Sequence, residues 1–323
     1  MNSKVFDVVL LMALPASGKS EVRNFMANIP GERLAAEFHI GDNLQLDDFP
    51  YVHMMRRIDN ELQAMGEDRI FYPGEDPFYD GRDWGTLCNL LNEDYHDLMN
   101  RNVIQTDSAA KFLFDRFDRA ALGAGIPARL GVLNEGIRNS LAEKLEDECR
   151  AMLNEKHAAY PESFDGKTVI IECARGGPDG SSFPLTGTFG YQYSLPMFCP
   201  EILEKAVILY IWVTPEESRR KNSDRADPND PGSNLHHGVP MSVMLGDYGC
   251  DDMQYLLDTS EERSAVTVSA HGRTYHVPVG VFDNRIDKTS FLRDTPDRWD
   301  ASLVIEVTEA IREATDTMFS LKK

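Results

Sequence analysis

The sequence predicts an α/β fold in which a central parallel β-sheet is covered by helices. Apolar runs of strand length at residues 5–12, 168–172 and 206–213 alternate with stretches of helical periodicity. The run at 206–213 is apolar throughout, which is typical of a strand buried on both faces of a parallel sheet. Apolar residues make up 42% of the chain, enough for a sizeable core.

The first element predicted is a strand, a loop and a helix within residues 5–29. Val22, Phe25, Met26 and Ile29 repeat at helical spacing, and Pro30 stops the helix. A short second strand is expected at 37–40 and a third at 168–172. Two strand-like runs fall within 264–282, and a final helix carries apolar residues from 299 to 318.

The chain of 323 residues is long for one domain, which suggests a core with an insertion. We expect the core at residues 1–43 and 166–323, with a mobile lid at about 214–232. Residues 44–165 are mostly helical in pattern, with a last helix at 135–156. They form a predicted inserted subdomain suited to acceptor binding.

A net charge of −20 sets limits on the partners of this chain. Such a field repels nucleic-acid phosphates and anionic membranes, so bulk nucleic acid is not an expected partner. No apolar stretch reaches the roughly 20 residues that a membrane helix needs. The five cysteines form no C-x-x-C pair, and the start of the chain reads as a strand, not a signal peptide. These features favour a cytoplasmic protein and leave the oligomeric state open.

The strongest motif is the segment from Ala13 to Ser20, which fits the pattern [AG]-x-x-x-x-G-K-[ST]. Gly18 lets the backbone approach phosphates without a Cβ clash. Lys19 can reach the β- and γ-phosphates, and the Ser20 hydroxyl can complete a Mg²⁺ shell. The context is also the required one, because the motif follows an apolar strand and opens an amphipathic helix. The expected nucleotide-binding residues are Ala13, Pro15, Ala16, Ser17, Gly18, Lys19, Ser20 and Glu21.

With Pro15 in the loop, this segment resembles the phosphate loops of small P-loop kinases, including nucleotide kinases, small-metabolite kinases and zeta-toxin-like phosphotransferases. The resemblance covers the loop closely and the rest of the core more loosely; the insertion matches no such family. It implies a P-loop NTPase three-layer sandwich that binds ATP and Mg²⁺. The implied activity is transfer of the γ-phosphoryl group to a small-molecule or nucleotide-like acceptor, with the choice between ATP and GTP left open.

Two acidic residues are placed to serve such a reaction at the carboxyl ends of predicted strands, where open α/β sheets bind ligands. By resemblance, Asp42 is expected to accept or orient the proton of the acceptor hydroxyl. Glu172 is expected to lie in the second shell of the Mg²⁺ ion or to position a water molecule. Asp42 could instead be a turn residue, with Asp47 and Asp48 as alternatives. Arg175, just past Glu172, could hold phosphate or an anionic substrate.

A cluster of basic residues follows the 206–213 strand in an otherwise acidic chain. Arg219, Arg220, Lys221 and Arg225 are accompanied there by one acid, Asp224. The segment resembles the lid helix of adenylate-kinase-like enzymes, which implies that Arg219 and Arg225 stabilise the transferring phosphoryl group. The alternative is a solvated helix face in which Glu216 and Glu217 pair with the basic residues. The helix start is predicted at Thr214, with a capping box through Glu217.

The sequence Asn284-Arg-Ile-Asp287 resembles the N-K-x-D guanine reader of GTPases. Asn284 and Asp287 are therefore candidate base-binding residues, or else an Asn/Asp turn. No D-x-x-G motif accompanies them, which disfavours a switch GTPase. Between 175 and 200, aromatic residues such as Phe183 and Tyr191 form either a substrate platform or loop packing. The function expected is a Mg²⁺-dependent kinase; an ATPase switch or a non-catalytic nucleotide-binding module are the alternatives.

Overall fold

Six β-strands form one sheet in the described part of the chain. The computed structural model describes residues 5–225 and 238–322. The strands are β1 (Val8–Met12), β2 (Asp42–Asp47), β3 (Lys167–Cys173), β4 (Ala206–Trp212), β5 (Ala265–Ala270) and β6 (Arg273–Asp283), in the order β2-β3-β1-β4-β6-β5.

The sheet is mostly parallel, as the sequence predicted. β1 pairs in parallel with both β3 and β4, and β4 pairs in parallel with β6. The edge strand β5 pairs antiparallel with β6. The two residues that connect these strands leave no room for the crossover that a parallel pair requires. The protein is therefore an α/β protein whose sheet is flanked by helices.

Outside residues 46–164, the helices are α1 (Lys19–Ala27), α2 (Gly31–Phe38), α7 (Gly190–Ser194), α8 (Pro200–Leu203), α9 (Pro215–Arg225), α10 (Met241–Gly246), α11 (Met253–Asp258) and α12 (Ala301–Leu321). Residues 46–164 contain α3 (Phe49–Ala64), α4 (Asp83–Asn100), α5 (Ala109–Gly123) and α6 (Glu135–Ala158). Short 3₁₀ helices occupy Leu195–Met197, Ser290–Arg293 and Pro296–Arg298.

Alternation along the strands divides the sheet into two faces. One face is a single apolar cluster with α1, α2 and α12. It contains Val9, Leu11, Ile170, Val207, Leu209 and Ile211 from the strands, with Val22, Phe25, Leu34, Phe38, Val307 and Ile311 from the helices. The intervening strand residues, such as Tyr210 of β4, face the opposite side.

The strand predicted at 37–40 is wrong, because residues 31–38 form helix α2. Leu34 and Phe38, one helical turn apart, are both buried against the apolar face of the sheet. Ala35 and Ala36 between them favour a helix. The second strand starts later, at Asp42.

The chain divides into two compact units. The first comprises residues 1–45, 165–196 and 200–323, and the second 46–164 with 197–199. The second unit is helical and has its own core, which includes a buried ion network. Arg116 donates to Asp94 at 2.8 Å and to Glu93 at 2.8 Å, and Lys156 reaches Asp94 at 2.7 Å. These charges are paired, as buried charges must be.

Helix α9 begins as the sequence predicted. The Thr214 hydroxyl accepts a hydrogen bond from the Glu217 amide at 3.2 Å, as expected of an N-terminal cap. Residues 226–232 of the predicted lid and the side chain of Arg225 lie outside the described residues. Within residues 5–225 and 238–322, the structure contains no helix with the length and apolar character needed to cross a membrane.

Candidate functional site

The loop at residues 13–20 joins the end of β1 directly to the start of α1. Its backbone turns twice through the left-handed region, at Ala16 with φ 54° and at Gly18 with φ 107°. Gly18 is the residue that precedes the first turn of α1. A Cβ on Gly18 would lie 2.5 Å from Oγ1 of Thr289, so both the conformation and the close packing require glycine there.

Two hydrogen bonds from neighbouring elements fix the direction of the loop peptides. The Ser218 hydroxyl of α9 donates to the Pro15 carbonyl at 2.7 Å, and the Asn284 side-chain amide donates to the Ser17 carbonyl at 2.7 Å. In a trans peptide the carbonyl and the following N–H point in opposite directions. The amides of Ala16 and Gly18 therefore point away from these two elements.

The amides of residues 16–21 donate to no acceptor within the part of the chain that the structure describes. The Ser17 hydroxyl is also buried and without a hydrogen-bond partner among the described residues. Consecutive amides at a helix N-terminus form an anion-binding concavity. A buried hydroxyl with no partner is costly unless a ligand or water satisfies it. The loop therefore has the properties of an oxyanion site.

Lys19 and Glu172 lie together beside this loop. The Lys19 ammonium is 4.0 Å from the Glu172 carboxylate, and lies 3.4 Å from the Ala13 carbonyl and 3.5 Å from that of Leu14. Glu172 also accepts from Arg23 of α1 at 2.6 Å. The alternation of β3 turns Glu172 toward α1, and this places a cation and an acid at the same edge of the sheet.

Asp42 does not lie at this edge, contrary to our expectation. It forms an ion pair with Lys167, the first residue of β3, and its side chain is 77% exposed. The preceding Gly41 donates to the Thr168 hydroxyl at 2.8 Å. The loop at 13–20 adjoins the other end of β3, six residues away, or about 20 Å along the strand. The error follows from placing the second strand too early, because Asp42 begins β2 and does not follow it.

Arg175 was expected to present its guanidinium to an anionic substrate. Its side chain is only 2% exposed. It donates to the Ser194 hydroxyl at 3.1 Å and to the Ala174 carbonyl at 2.7 Å. The guanidinium is therefore tied into the segment that follows β3, and the expectation of an open substrate contact is wrong.

The basic residues of α9 differ in their surroundings. Arg219 pairs with Asp179 at 3.1 Å and with Glu216 at 3.5 Å. Arg220 is an exposed residue that pairs with Glu217 and Asp224 along the helix, as the solvated-face alternative requires. Arg219 instead reaches another segment of the unit, and the Arg225 side chain lies outside the described residues.

Asn284 and Asp287, the expected base-binding residues, are bonded to other residues of the same unit. Asn284 is fully buried and bonds Ser17 and Thr289, while its side-chain oxygen accepts from the Lys288 amide at 2.7 Å. Asp287 forms an ion pair with Lys221 at 2.8 Å. This geometry makes Asn284 a support of the 13–20 loop and corrects the expectation that it reads a base.

Glu21, which was expected to bind nucleotide, accepts a hydrogen bond from Arg293 at 2.7 Å. It thus fastens α1 to the Ser290–Arg293 turn. Sequence reasoning missed three supporting residues: Arg23, Ser218 and Thr289. Arg23 lies one turn after Lys19 and could have been noted from helical spacing. The contacts of Ser218 and Thr289 span more than 200 residues, and no local pattern indicates them.

Comparison with known proteins adds no family to these observations. No protein-family model, curated protein or solved structure matches this chain. The local geometry must therefore carry the functional argument. The loop combines inward amides, a buried hydroxyl and a lysine, and this combination can bind a polyanion such as a phosphate chain.

Proposed function

We propose that this protein is a P-loop phosphotransferase that moves the γ-phosphoryl group of ATP to a small-molecule acceptor. The observation that carries the proposal is the orientation of the 13–20 loop. Ser218 and Asn284 bind its carbonyls from outside, which leaves the amides of residues 16–21 for a phosphate chain. The 2-3-1-4 order of the first four strands places that loop at the centre of the sheet.

Lys19 supplies the positive charge in this proposal. Among the described residues, its ammonium group contacts carbonyl oxygens at 3.4–3.5 Å and Glu172 at 4.0 Å and no other polar group. These are long contacts that a phosphate oxygen can replace. Charge neutralisation and positioning supply most of the catalysis in phosphoryl transfer. Lys19 is therefore assigned to the terminal phosphates.

Ser20 and Glu172 fit a Mg²⁺ site. The Ser20 hydroxyl has no hydrogen-bond partner among the described residues, and oxygen ligands suit this ion. Glu172 is held at 2.6 Å by Arg23, so it is suited to bind a metal-bound water rather than the ion itself. When bound, Mg²⁺ neutralises charge on the phosphates. Arg219, next to Ser218 on α9, remains the candidate for stabilising the transferred group.

The test is ³¹P NMR of ATP–Mg²⁺ with the purified protein and a pooled metabolite extract. We expect a new phosphate-ester signal that Lys19→Ala abolishes, because loss of a cation at the transferring group costs several kcal/mol of transition-state stabilisation. Lys205→Ala is the matched control, since Lys205 is an exposed lysine of the same unit.

Three other results would count against the proposal. ADP and free phosphate without an ester, with or without metabolites, would indicate an ATPase. Nucleotide binding without turnover would indicate a binding module. A phosphate ester that persists in Lys19→Ala would show that another site performs the transfer.

A further inference from the structure

Two segments of the first unit run side by side next to the 13–20 loop. Residues 174–182 follow β3, and residues 245–252 contain the end of α10 and the turn that leads into α11; we call them together the acidic wall. Gly177 and Cys250 exchange backbone hydrogen bonds at 2.9 and 3.1 Å, and the Asp179 amide donates to Leu245 at 2.8 Å. The two segments therefore form one structure.

A chain of contacts places the acidic wall at the same edge of the sheet as the loop. Arg219 of α9 pairs with Asp179 of the wall, and the adjacent Ser218 binds Pro15 of the loop. From the sheet, Tyr210 lies opposite Met12, the last residue of β1. Its hydroxyl donates to Asp251 of the wall, so the wall lies at the end of the sheet from which the loop departs.

Asp251 is the unusual carboxylate of this wall. It accepts from the Tyr210 hydroxyl at 2.9 and 3.0 Å and from the Met253 amide at 3.0 Å. No cation among the described residues pairs with it. Two other acids at this edge, Asp179 and Glu172, pair with arginines, and Asp252 accepts from the Tyr191 and Gln192 amides. Asp251 is partly buried and so retains some access to solvent.

A second observation points to a ligand beside Asp251. The Tyr191 hydroxyl of α7 is fully buried and has no hydrogen-bond partner within the described chain. Burial raises the Tyr191 pKa well above its usual range, and Asp251 is the charged group that adds most to this rise. The Tyr191 amide donates to Asp252, the residue next to Asp251, at 2.7 Å, and a buried hydroxyl without a partner is costly unless a polar ligand or water satisfies it.

The electrostatic surroundings of Asp251 suit proton transfer near neutral pH. Burial raises its pKa to about 6, while hydrogen bonds from Met253 and Tyr210 oppose the rise. The other titratable groups that face it are Asp252, Cys250 and Tyr191. A general base works best when its pKa lies close to the working pH.

We propose that Asp251, supported by Tyr210, is the residue that binds and deprotonates the acceptor hydroxyl, and that the acceptor is an uncharged or cationic alcohol. The inference rests on the phosphotransferase function proposed above and replaces Asp42, which lies at the opposite end of β3. The acceptor O–H donates to the Asp251 carboxylate. As the acceptor oxygen forms its bond to the γ-phosphorus, the bond to the bridging oxygen breaks, and its electron pair stays on the departing nucleoside diphosphate. Asp251 takes up the hydroxyl proton and then releases it to water.

The negative charge of the acidic wall indicates which acceptors can bind beside it. Its charged residues are Asp179, Asp247, Asp251, Asp252 and Arg175. The arginine is 2% exposed and bound to Ser194, so it offers no open cation. Arg219, which reaches the wall, is already paired with Asp179, so a phosphorylated acceptor would meet an excess of like charge, which disfavours its binding by repulsion. A sugar, polyol or amino alcohol meets no such barrier.

The experiment compares the wild-type protein with Asp251→Asn, using ATP–Mg²⁺ and a panel of acceptors. The panel contains glucose, ribose, inositol, ethanolamine and choline, against AMP, ribose 5-phosphate and glycerol 3-phosphate. Product is followed by ³¹P NMR and nucleotide affinity by a fluorescent ATP analogue. Asp258→Asn is the matched control, since Asp258 is an exposed residue of α11 that bonds only Gln254.

We expect a phosphate ester from an uncharged or cationic alcohol, and a loss of about 100-fold or more in its formation in Asp251→Asn. Nucleotide affinity should be unchanged, and Asp258→Asn should behave as wild type. The asparagine variant should fold, because it removes a buried charge that is costly at neutral pH. Transfer at the wild-type rate in Asp251→Asn, or transfer only to the phosphorylated acceptors, overturns the assignment. A protein that binds nucleotide and phosphorylates no alcohol of the panel overturns it as well.

A pH profile separates a catalytic role from a structural one. Transfer by the wild type should rise with pH around the Asp251 pKa of about 6. Tyr210→Phe removes a hydrogen bond that favours the carboxylate, so the rise should move to higher pH. An unmoved profile contradicts the role of Tyr210. If the wild type fails to bind nucleotide, or Lys19→Ala binds it equally well, the phosphate-loop function itself has failed; these readouts do not involve Asp251.

Discussion

At the scale of single residues, Gly18 shows how packing and backbone conformation act together. Its φ of 107° costs any other residue about 1–2 kcal/mol, and a Cβ would also lie 3.0 Å from the Asn284 amide and 2.5 Å from Thr289. We expect Gly18→Ala to lower the melting temperature and to abolish nucleotide binding, because the loop must move. Thermal denaturation and binding of a fluorescent ATP analogue would measure both effects.

Gly180→Ala is the control for the backbone strain that alanine meets at a positive φ. Gly180 also has a positive φ, of 74°, but no atom lies within 4 Å of an added Cβ. Its substitution should cost only the backbone strain and leave nucleotide binding intact. Equal effects of the two variants would show that packing against Thr289 and Asn284 does not shape the loop.

Asn284 distinguishes a supporting residue from a base-reading one. Asn284→Ala removes the donor to the Ser17 carbonyl and leaves the partly buried Lys288 amide without its acceptor, at a cost of about 1–3 kcal/mol. We expect the affinities for ATP and GTP to fall by the same factor, because the proposed role of the loop is to bind the phosphates, which both nucleotides share. Isothermal titration with each nucleotide measures this. A change in the ATP-to-GTP preference would instead support base reading.

At the scale of elements, an ion pair joins α9 to the turn after β6. Lys221 is 1% exposed and lies 2.8 Å from Asp287. Burial alone would raise the Asp287 pKa, but the pair with Lys221 and the bonds from Ser290 and Thr289 hold it well below its usual range. The carboxylate therefore stays ionised in the folded protein at pH values where the unfolded chain takes up protons.

The stability that Asp287 contributes is complete at neutral pH and is lost as the pH falls below about 4, toward the folded pKa. Asp287→Asn leaves Lys221 buried, with Glu217, at 3.9 Å, as its one remaining acidic neighbour in the part of the chain that the structure describes. We expect it to destabilise the protein by roughly 3 kcal/mol at pH 7, the lower end for broken buried pairs, because Asp287 is partly exposed. Chemical denaturation at pH 7 and pH 3.5 should show the difference from wild type shrinking in acid.

The control is Asp283→Asn, which breaks the exposed pair between Asp283 and Arg285. Such surface pairs contribute about 1 kcal/mol or less. If both asparagine variants lose the same stability, the pair between Lys221 and Asp287 does not hold α9 in place.

Strands and helix starts that are specified by a short run of neighbouring residues could be predicted from the sequence. The one strand predicted wrongly, at residues 37–40, has a physical reason. The apolar strands β1, β3 and β4 and the capped start of α9 were predicted within a few residues. The short strand predicted at residues 37–40, just before Gly41, is absent, because residues 31–38 form helix α2. Leu34 and Phe38 are spaced so that a helix places both on one face, and their burial against the sheet stabilises the helix over a strand.

At the scale of the whole molecule, the sequence located the loop but not the residues around it. The motif at residues 13–20 is one contiguous segment, so it can be recognised from the sequence without a structure. Glu172 could be placed because the carboxyl ends of neighbouring parallel strands meet at one edge. Asp251 lies between α10 and α11, outside any strand or helix, and meets Tyr210 only through the fold. The contacts that orient the loop, from Ser218 and Asn284, likewise depend on chain order in the sheet.

The division into two units allows a test of where nucleotide binds. The chain has three tryptophans: Trp84 in the second unit, and Trp212 and Trp299 in the first. Trp84→Phe leaves fluorescence from the first unit alone, while Trp212→Phe with Trp299→Phe leaves that of the second. ATP–Mg²⁺ at 100 times its Kd should add about 2.7 kcal/mol to the stability of the unit that binds it.

We expect ATP–Mg²⁺ to raise the thermal midpoint reported by Trp212 and Trp299, because the 13–20 loop belongs entirely to the first unit. The midpoint reported by Trp84 should rise by the same amount or less, according to how far the two units unfold together. Adding Lys19→Ala to each reporter should remove the shift. A shift confined to Trp84 would place the nucleotide in the helical second unit, and the inward amides of residues 16–21 would then need another ligand.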